Sequence, residues 1–289
     1  MTTLDNVLDR PTPSAHRRRV GWQVGLAMAI IAALALLAIA APILSSYDPN
    51  AVDLASRLQG PSLQHWLGTD HLGRDMLTRL LHGTRISLGS VVVILVLILA
   101  LGIGVGGVSG FVGGRVDQAI MRFCDIFLTF PTFVLAMFMI GVLGTGMINV
   151  IAAIVLSHWA WYARIVRGLV LSMRERDFVL AAQVAGAGRL RIFIEHIMPG
   201  VMAQLTVLAT LDIGHMMLHV AGLSFLGLGV SAPTPEWGVM INDARQFVWT
   251  QPQLILWPGV MILISVMAFN RLGDALRDHL DPAVKAGHC

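Results

Sequence analysis

Apolar residues in this chain fall in long unbroken blocks, each far longer than a strand or a core helix needs. A helix crossing the hydrocarbon core of a bilayer takes about 20 such residues. Six blocks reach or approach that length: about Val20–Leu44, Ile86–Val112, Ile126–Leu143, Ile148–Ile165, Val201–Gly222 and Leu254–Leu272. The third and fourth are the shortest and carry polar residues. The expected fold is therefore all-α and integral to the membrane, with about six transmembrane helices spanning 20–272. A tail, 1–19, precedes them and another, 273–289, follows. Three long connections separate the blocks, 45–85, 166–199 and 224–252, and the first ten or so residues are expected to be disordered.

The first block follows Arg17, Arg18 and Arg19 as a signal peptide would, and Ala38 and Ala40 resemble a cleavage site. A secretory h-region is only about 7–15 residues, however, so the block is expected to stay as an anchor. Arginine placement sets the orientation, because basic residues concentrate on the cytoplasmic side. With the N-terminus inside, fifteen Lys and Arg fall in cytoplasmic segments and five outside. Both termini, and the 166–199 connection, are then cytoplasmic, and 45–85 and 224–252 are external.

Composition agrees with this. Hydrophobic residues make up 56% of the chain and charged ones 13%, about half the charge of a soluble domain. The net charge of +3 rests almost entirely on arginines flanking the apolar blocks. They suit lipid headgroups; no basic face with interleaved aromatics points to nucleic acid. The two cysteines, Cys124 and Cys289, make no disulfide framework. No internal repeat or low-complexity tract is present. Nor is there a Gly-x-x-x-x-Gly-Lys-Ser/Thr loop, so the chain is not expected to hydrolyse ATP itself.

The 166–199 connection contains an alanine-rich helical stretch, Phe178–Ala185, then Gly186 and Gly188, a second helical piece, Leu190–Ile197, and Pro199. This reads as helix, glycine turn, helix, with Pro199 starting the next span. The stretch resembles the cytoplasmic signature of ABC import permeases: Ala181-Ala182, three residues, Gly186, then His196-Ile197-Met198-Pro199 at the matching distance. It departs from the family at Leu180, where Glu is usual, and at Met198, where Leu is usual. His196 stands where the general signature has Ile, and the peptide branch often has His. Segments outside this loop place the resemblance further. His65-Trp-Leu-Gly-Thr-Asp-His-Leu-Gly-Arg-Asp75, Leu223-Ser-Phe-Leu-Gly-Leu-Gly229, Pro233-Thr-Pro-Glu-Trp-Gly238 and Gly273–Pro282 resemble the second permease subunit of dipeptide, oligopeptide and nickel importers.

That resemblance implies a non-catalytic channel subunit in the bacterial inner membrane. It implies a second, related permease, two ATP-binding subunits that carry ATP and Mg²⁺ and grip Ala181, Ala182, Gly186, His196 and Pro199, and a periplasmic substrate-binding protein. Within the first external connection, Thr69 or Asp70 is expected to cap a short helix from about Leu72 to His82. Asp70, Arg74 and Asp75 read equally well as an ion-pair cluster that only fixes the loop.

The fifth block holds Asp212, His215 and His219 at i, i+3 and i+7, one face of a helix. His158 lies in the fourth, beside Trp159 and Trp161. Ionisable groups at membrane depth are costly and mark pathways or partner contacts. Imidazole and carboxylate suit Ni²⁺, Zn²⁺ or Cu²⁺, and within the family this pattern looks like the nickel branch. The expected substrate is Ni²⁺, free or chelated, with His158, Asp212, His215 and His219 as pathway candidates and His215 and His219 as transient metal ligands. Two other readings stand beside this one: the same residues serve only helix packing, or the machine carries di- or oligopeptides. An intramembrane metalloenzyme lacks His-Glu-x-x-His and a catalytic Glu at membrane depth. A proton-coupled carrier is opposed by the 166–199 loop. Met137, Met139, Met147, Met216 and Met217 read as packing filler rather than soft ligands.

Overall fold

The computed structural model describes residues 13–230 and 232–280. The expectation of disorder over the first ten residues, and the position of Cys289, lie outside them. Apart from one bridge between Thr69 and Asp75, the described chain is helical. The helices are α1 (Pro13–Leu44), α2 (Met76–Val112), α3 (Gly114–Leu128), α4 (Thr132–Leu143), α5 (Met147–Arg174), α6 (Asp177–Val184), α7 (Arg189–Ile192), α8 (Met198–Phe225), α9 (Trp237–Ala244) and α10 (Gln253–Leu280). Among the described residues, five continuous helices are long and apolar enough to cross a bilayer, and the pair α3 and α4 makes a sixth if its bent halves are one span. Outward-facing residues such as Ile39, Phe138 and Val142 are more than two-thirds exposed, as hydrocarbon-facing positions must be.

Several elements differ from the sequence expectation. The Ile126–Leu143 block is not one straight span: α3 and α4 meet at 81° across Thr129–Pro131. Pro131 lacks the N–H that would continue the helix. The short helix expected over Leu72–His82 does not exist as a separate element. Asp75, not Thr69 or Asp70, is the cap: its carboxylate accepts from the Thr78 N–H at 2.8 Å, and α2 then runs without interruption to Val112. The piece expected over Leu190–Ile197 is α7 followed by a π-helical segment, Phe193–Ile197, which passes directly into α8. α10 likewise continues to Leu280, through the start of the segment read as a tail.

The centre of the fold is the pairing of α2 with α5. Gly102, Gly106 and Gly110 present a bare strip of backbone to α5. A Cβ at Gly102 would lie 2.6 Å from that of Tyr162, and one at Gly110 would lie 2.8 Å from Val170. Without a hydrophobic drive between helices in lipid, close backbone approach through small residues supplies the attraction. The matched order of these contacts shows that α2 and α5 run parallel. α10 runs antiparallel to α8, with Gly273 against Leu211 and Gly214 against Asn270. α1 packs on α2 and α10.

Each end of the bundle has an ionic fastener. At one end Ser109 of α2 and Arg167 of α5 converge on Asp117 of α3. Arg167 donates through Nε at 2.8 Å and Nη2 at 2.6 Å, and the Ser109 hydroxyl donates at 2.5 Å. At the other end, Arg74 is fully buried and donates to Asp70 at 2.6 Å and to Asp243 of α9 at 3.3 Å. Arg79 donates to the Pro49 and Pro233 carbonyls. The ion-pair reading of this loop therefore holds for Asp70 and Arg74; Asp75 is taken by His65 at 2.9 Å and by its capping role. Trp237 of α9 is fully buried and donates its indole N–H to the Leu80 carbonyl, which seats α9 on the start of α2.

Candidate functional sites in the 177–199 segment and the α5–α8 interface

The alanine-rich stretch forms α6 and ends in a fully formed glycine cap. The Ala187 N–H donates to the Ala182 carbonyl at 3.0 Å and the Gly186 N–H to the Gln183 carbonyl at 3.0 Å. This is the Schellman arrangement, with Gly186 at φ +82° in the left-handed region that glycine enters without a Cβ penalty. Val179 is the only fully buried residue of α6. Phe178, Leu180 and Val184 are exposed, the last at 90%. An apolar helix held by one residue and capped by a turn is poorly covered by its own chain. Ala181 lies on that exposed surface and Ala182 is half-buried. His196 sits in the π segment and Pro199 in the first turn of α8. Helix α6, the Gly186 turn and the π segment thus form one unit at the end of α5.

The polar residues at membrane depth gather between α5 and α8. Asp212 is buried at 6% exposure. Its Oδ2 accepts the Tyr162 hydroxyl at 3.0 Å and lies 3.4 Å from His158 Nε2. Its Oδ1 lies 3.7 Å from His215 Nδ1. His158 Nδ1 faces the Thr132 hydroxyl at 3.4 Å, and His219 Nδ1 contacts the His215 carbonyl oxygen at 2.8 Å. Aromatic rings wall the group: Trp161 and Tyr162 pack against His158, and Phe133 against His219. Thr132 and Phe133 open α4 just after the Pro131 break, so the bend of the α3–α4 pair abuts this cluster.

The structure therefore brings His158, Asp212, His215 and His219 together, although not on one uniform face. Asp212 points into the α5–α8 interface, His219 is half-buried, and the His215 side chain is 73% exposed. Among the described residues no three His, Cys, Asp or Glu side chains converge as a closed metal site requires. Tyr162, Thr132 and Phe133 escaped the sequence reading. Tyr162 stands one turn after His158, which was a usable signal; Thr132 and Phe133 belong to another helix and needed the fold. Met216 and Met217 are buried, as packing residues are.

Comparison with known proteins decides what kind of molecule this is. Residues 99–286 match the model of the binding-protein-dependent transport system inner membrane component. The chain belongs to that family. Among its relatives, the nickel transport system permease protein NikC of Escherichia coli K12 is 63% identical, over 92% of this chain and 96% of the relative. The metal-staphylopine import system permease protein CntC of Staphylococcus aureus NCTC 8325 is 44% identical over 90% of each chain. The dipeptide transport system permease protein DppC of Alkalihalophilus pseudofirmus is 41% identical over 89% of this chain and 84% of its own. The fold resembles a chain of the inward-facing MetNI methionine ABC transporter, with a TM-score of 0.58 at 18% identity, covering 71% of this chain and 98% of that one. This inner membrane component is thus an ABC-type permease, and the all-helical membrane fold expected from its sequence is the one the family has.

Proposed function

We propose that this inner membrane component is one of two membrane-spanning subunits of an ATP-driven nickel importer, with both termini in the cytoplasm. The observation that carries the reading is near-complete alignment at 63% identity with a nickel transport permease, joined to a carboxylate and three imidazoles gathered at membrane depth. In this reading a second, related permease covers the exposed side of α8, and two ATP-binding subunits hold ATP and Mg²⁺. A periplasmic binding protein delivers Ni²⁺ to the end of the bundle that carries 45–75 and α9.

The mechanism follows from two features. The exposed apolar face of α6 seats in a motor subunit, and closure of the motors on ATP displaces it. The displacement enters α8 directly, because α7, the π segment and α8 are continuous. It enters α5 through the short Glu175–Arg176 link before α6. α5 and α8 are the two helices that hold the polar cluster, so a shift between them re-forms His158, Tyr162 and Asp212 contacts and changes which side reaches His215. A pathway must release its ion as readily as it accepts it. An open cluster without a closed metal site suits passage better than storage.

Uptake of radioactive nickel by cells carrying the complete transporter tests this. Wild type should accumulate nickel, and His215→Ala with His219→Ala should lose most of that uptake at equal expression. Uptake of dipeptides with no accumulation of nickel would overturn the reading in favour of the peptide importers that share the family.

A further inference from the structure

The four ionisable side chains of the cluster are not chemically equivalent, and their hydrogen-bonding partners say which can bind a metal ion. A neutral imidazole has one N–H and one lone pair, and only the lone pair ligates. An acceptor facing one ring nitrogen fixes the proton there. In metal sites the ligating His donates its other N–H to a carboxylate or a backbone carbonyl in this way.

His219 has that arrangement. Its Nδ1 faces the His215 carbonyl oxygen at 2.8 Å. A carbonyl only accepts, so Nδ1 carries the proton and Nε2 keeps its lone pair. In His215, Nδ1 is the nitrogen near Asp212 Oδ1, at 3.7 Å. That is beyond hydrogen-bond range but within Coulombic reach, so the carboxylate biases the proton toward Nδ1, and Nε2 belongs to a side chain that is 73% exposed. His158 is the opposite case. Its Nε2 is fully buried and turned toward the Asp212 carboxylate at 3.4 Å, and Nδ1 meets the Thr132 hydroxyl. Nε2 has no hydrogen-bond partner but is sealed inside the α5–α8 interface, and Nδ1 has the Thr132 hydroxyl against it, so neither nitrogen is presented to an ion outside the interface. Asp212 accepts the Tyr162 hydroxyl and has His158 Nε2 and His215 Nδ1 within 4 Å of its carboxylate.

We infer that His215 Nε2 and His219 Nε2 are this chain's metal donors, and that His158 and Asp212 are positioning residues that hold the cluster without touching the ion. This deepens the nickel reading and rests on it. Two imidazoles one helical turn apart fill only two positions of a divalent transition ion. The remaining positions stay with water or with small ligands that travel with the ion. The substrate class that fits is an incompletely coordinated divalent cation whose ligands exchange, rather than a fully wrapped chelate.

Cysteine substitution and Cd²⁺ test the assignment, because thiolate binds this soft ion far more tightly than imidazole does. The complete transporter is reconstituted with its binding protein, and nickel uptake is followed while CdCl₂ is added. The wild type, with its native Cys124 and Cys289, sets the background. H215C, and H215C with H219C, each read against its own uptake before Cd²⁺ is added, should be blocked at concentrations at least tenfold below those that affect wild type, with release by a thiol chelator. H158C, read against whatever uptake it retains before Cd²⁺ is added, should show no block beyond that of wild type. Block of H158C equal to that of H215C, or no added block in either His215 variant, would overturn the donor assignment. Because His215 is exposed, H215C carries the test even if the double variant fails to assemble. Wild-type nickel uptake, measured in the same vesicles, is the separate measure of the nickel reading itself: its absence removes that reading, whereas its presence with unaltered Cd²⁺ sensitivity removes only the donors.

Discussion

Replacing Gly186 isolates the backbone's part in coupling from that of side-chain bulk. A Cβ at Gly186 meets no atom within 4 Å, so any residue fits by space alone. The constraint is conformational: at φ +82° an L-residue with a Cβ loses roughly 1–2 kcal/mol. At about 1.4 kcal/mol per tenfold, the population of the capped turn falls roughly 5- to 30-fold. Asparagine tolerates the left-handed region through its short polar side chain, and a β-branched residue suffers most there. Two hydrogen bonds, from Gly186 to Gln183 and from Ala187 to Ala182, go with the turn. The series Gly186→Asn, Gly186→Ala and Gly186→Val should therefore uncouple transport in that order. The assay is nickel taken up per ATP hydrolysed in proteoliposomes holding the complete transporter. Asparagine should lie nearest wild type and valine should lose most of the ratio. Equal damage by asparagine and valine, or a valine variant indistinguishable from wild type, would refute the claim that the turn's conformation transmits the stroke.

Other outcomes follow from the ionic fasteners. Arg167→Met leaves the Asp117 carboxylate, 7% exposed, with only the Ser109 hydroxyl. The variant should lose about 1–3 kcal/mol, less than a fully buried broken pair because Arg167 is one-third exposed. Its thermal midpoint should drop, and Asp117→Leu added to it should recover part of the loss; no recovery would argue against an unpaired charge as the cause. His71, stacked on Phe247 in the segment before α2, is pushed below the usual histidine value by burial, against the opposing pull of Asp70 and Asp243. Protonation then opposes folding, so its contribution is intact above about pH 6.5 and is lost as pH falls through its lowered folded value. Thermal midpoints between pH 7.5 and pH 5 should fall more steeply for wild type than for His71→Gln, and parallel slopes would refute this.

The parts of the candidate sites legible in the sequence were those written in local spacing. Asp212, His215 and His219 share a helix, so their grouping follows from a 3.6-residue period. α6 and its Gly186 turn follow from helix propensity and one glycine at the right distance. The Tyr162–Asp212 bond joins helices separated by 50 residues, and the Asp117–Arg167 clamp spans the same separation. Nothing in either helix alone names its partner. The separate helix expected over Leu72–His82 failed for a related reason. Arg79 is buried against the Pro49 and Pro233 carbonyls, which lets α2 begin outside the apolar block.

By itself the sequence determined that this chain lives in a bilayer, about how many times it crosses, and where a glycine-capped helix stands clear of the bundle. Those properties depend on hydrocarbon thickness and on backbone conformation, both of which act over a single segment. Only the tertiary structure decided that the Gly102, Gly106 and Gly110 strip meets α5, that the α3–α4 bend abuts His158, and that Tyr162 bonds Asp212. In lipid every helix surface is nearly equally content against a tail. Which surfaces meet is settled by close backbone approach and by buried polar partners, and these exist only once the helices have come together.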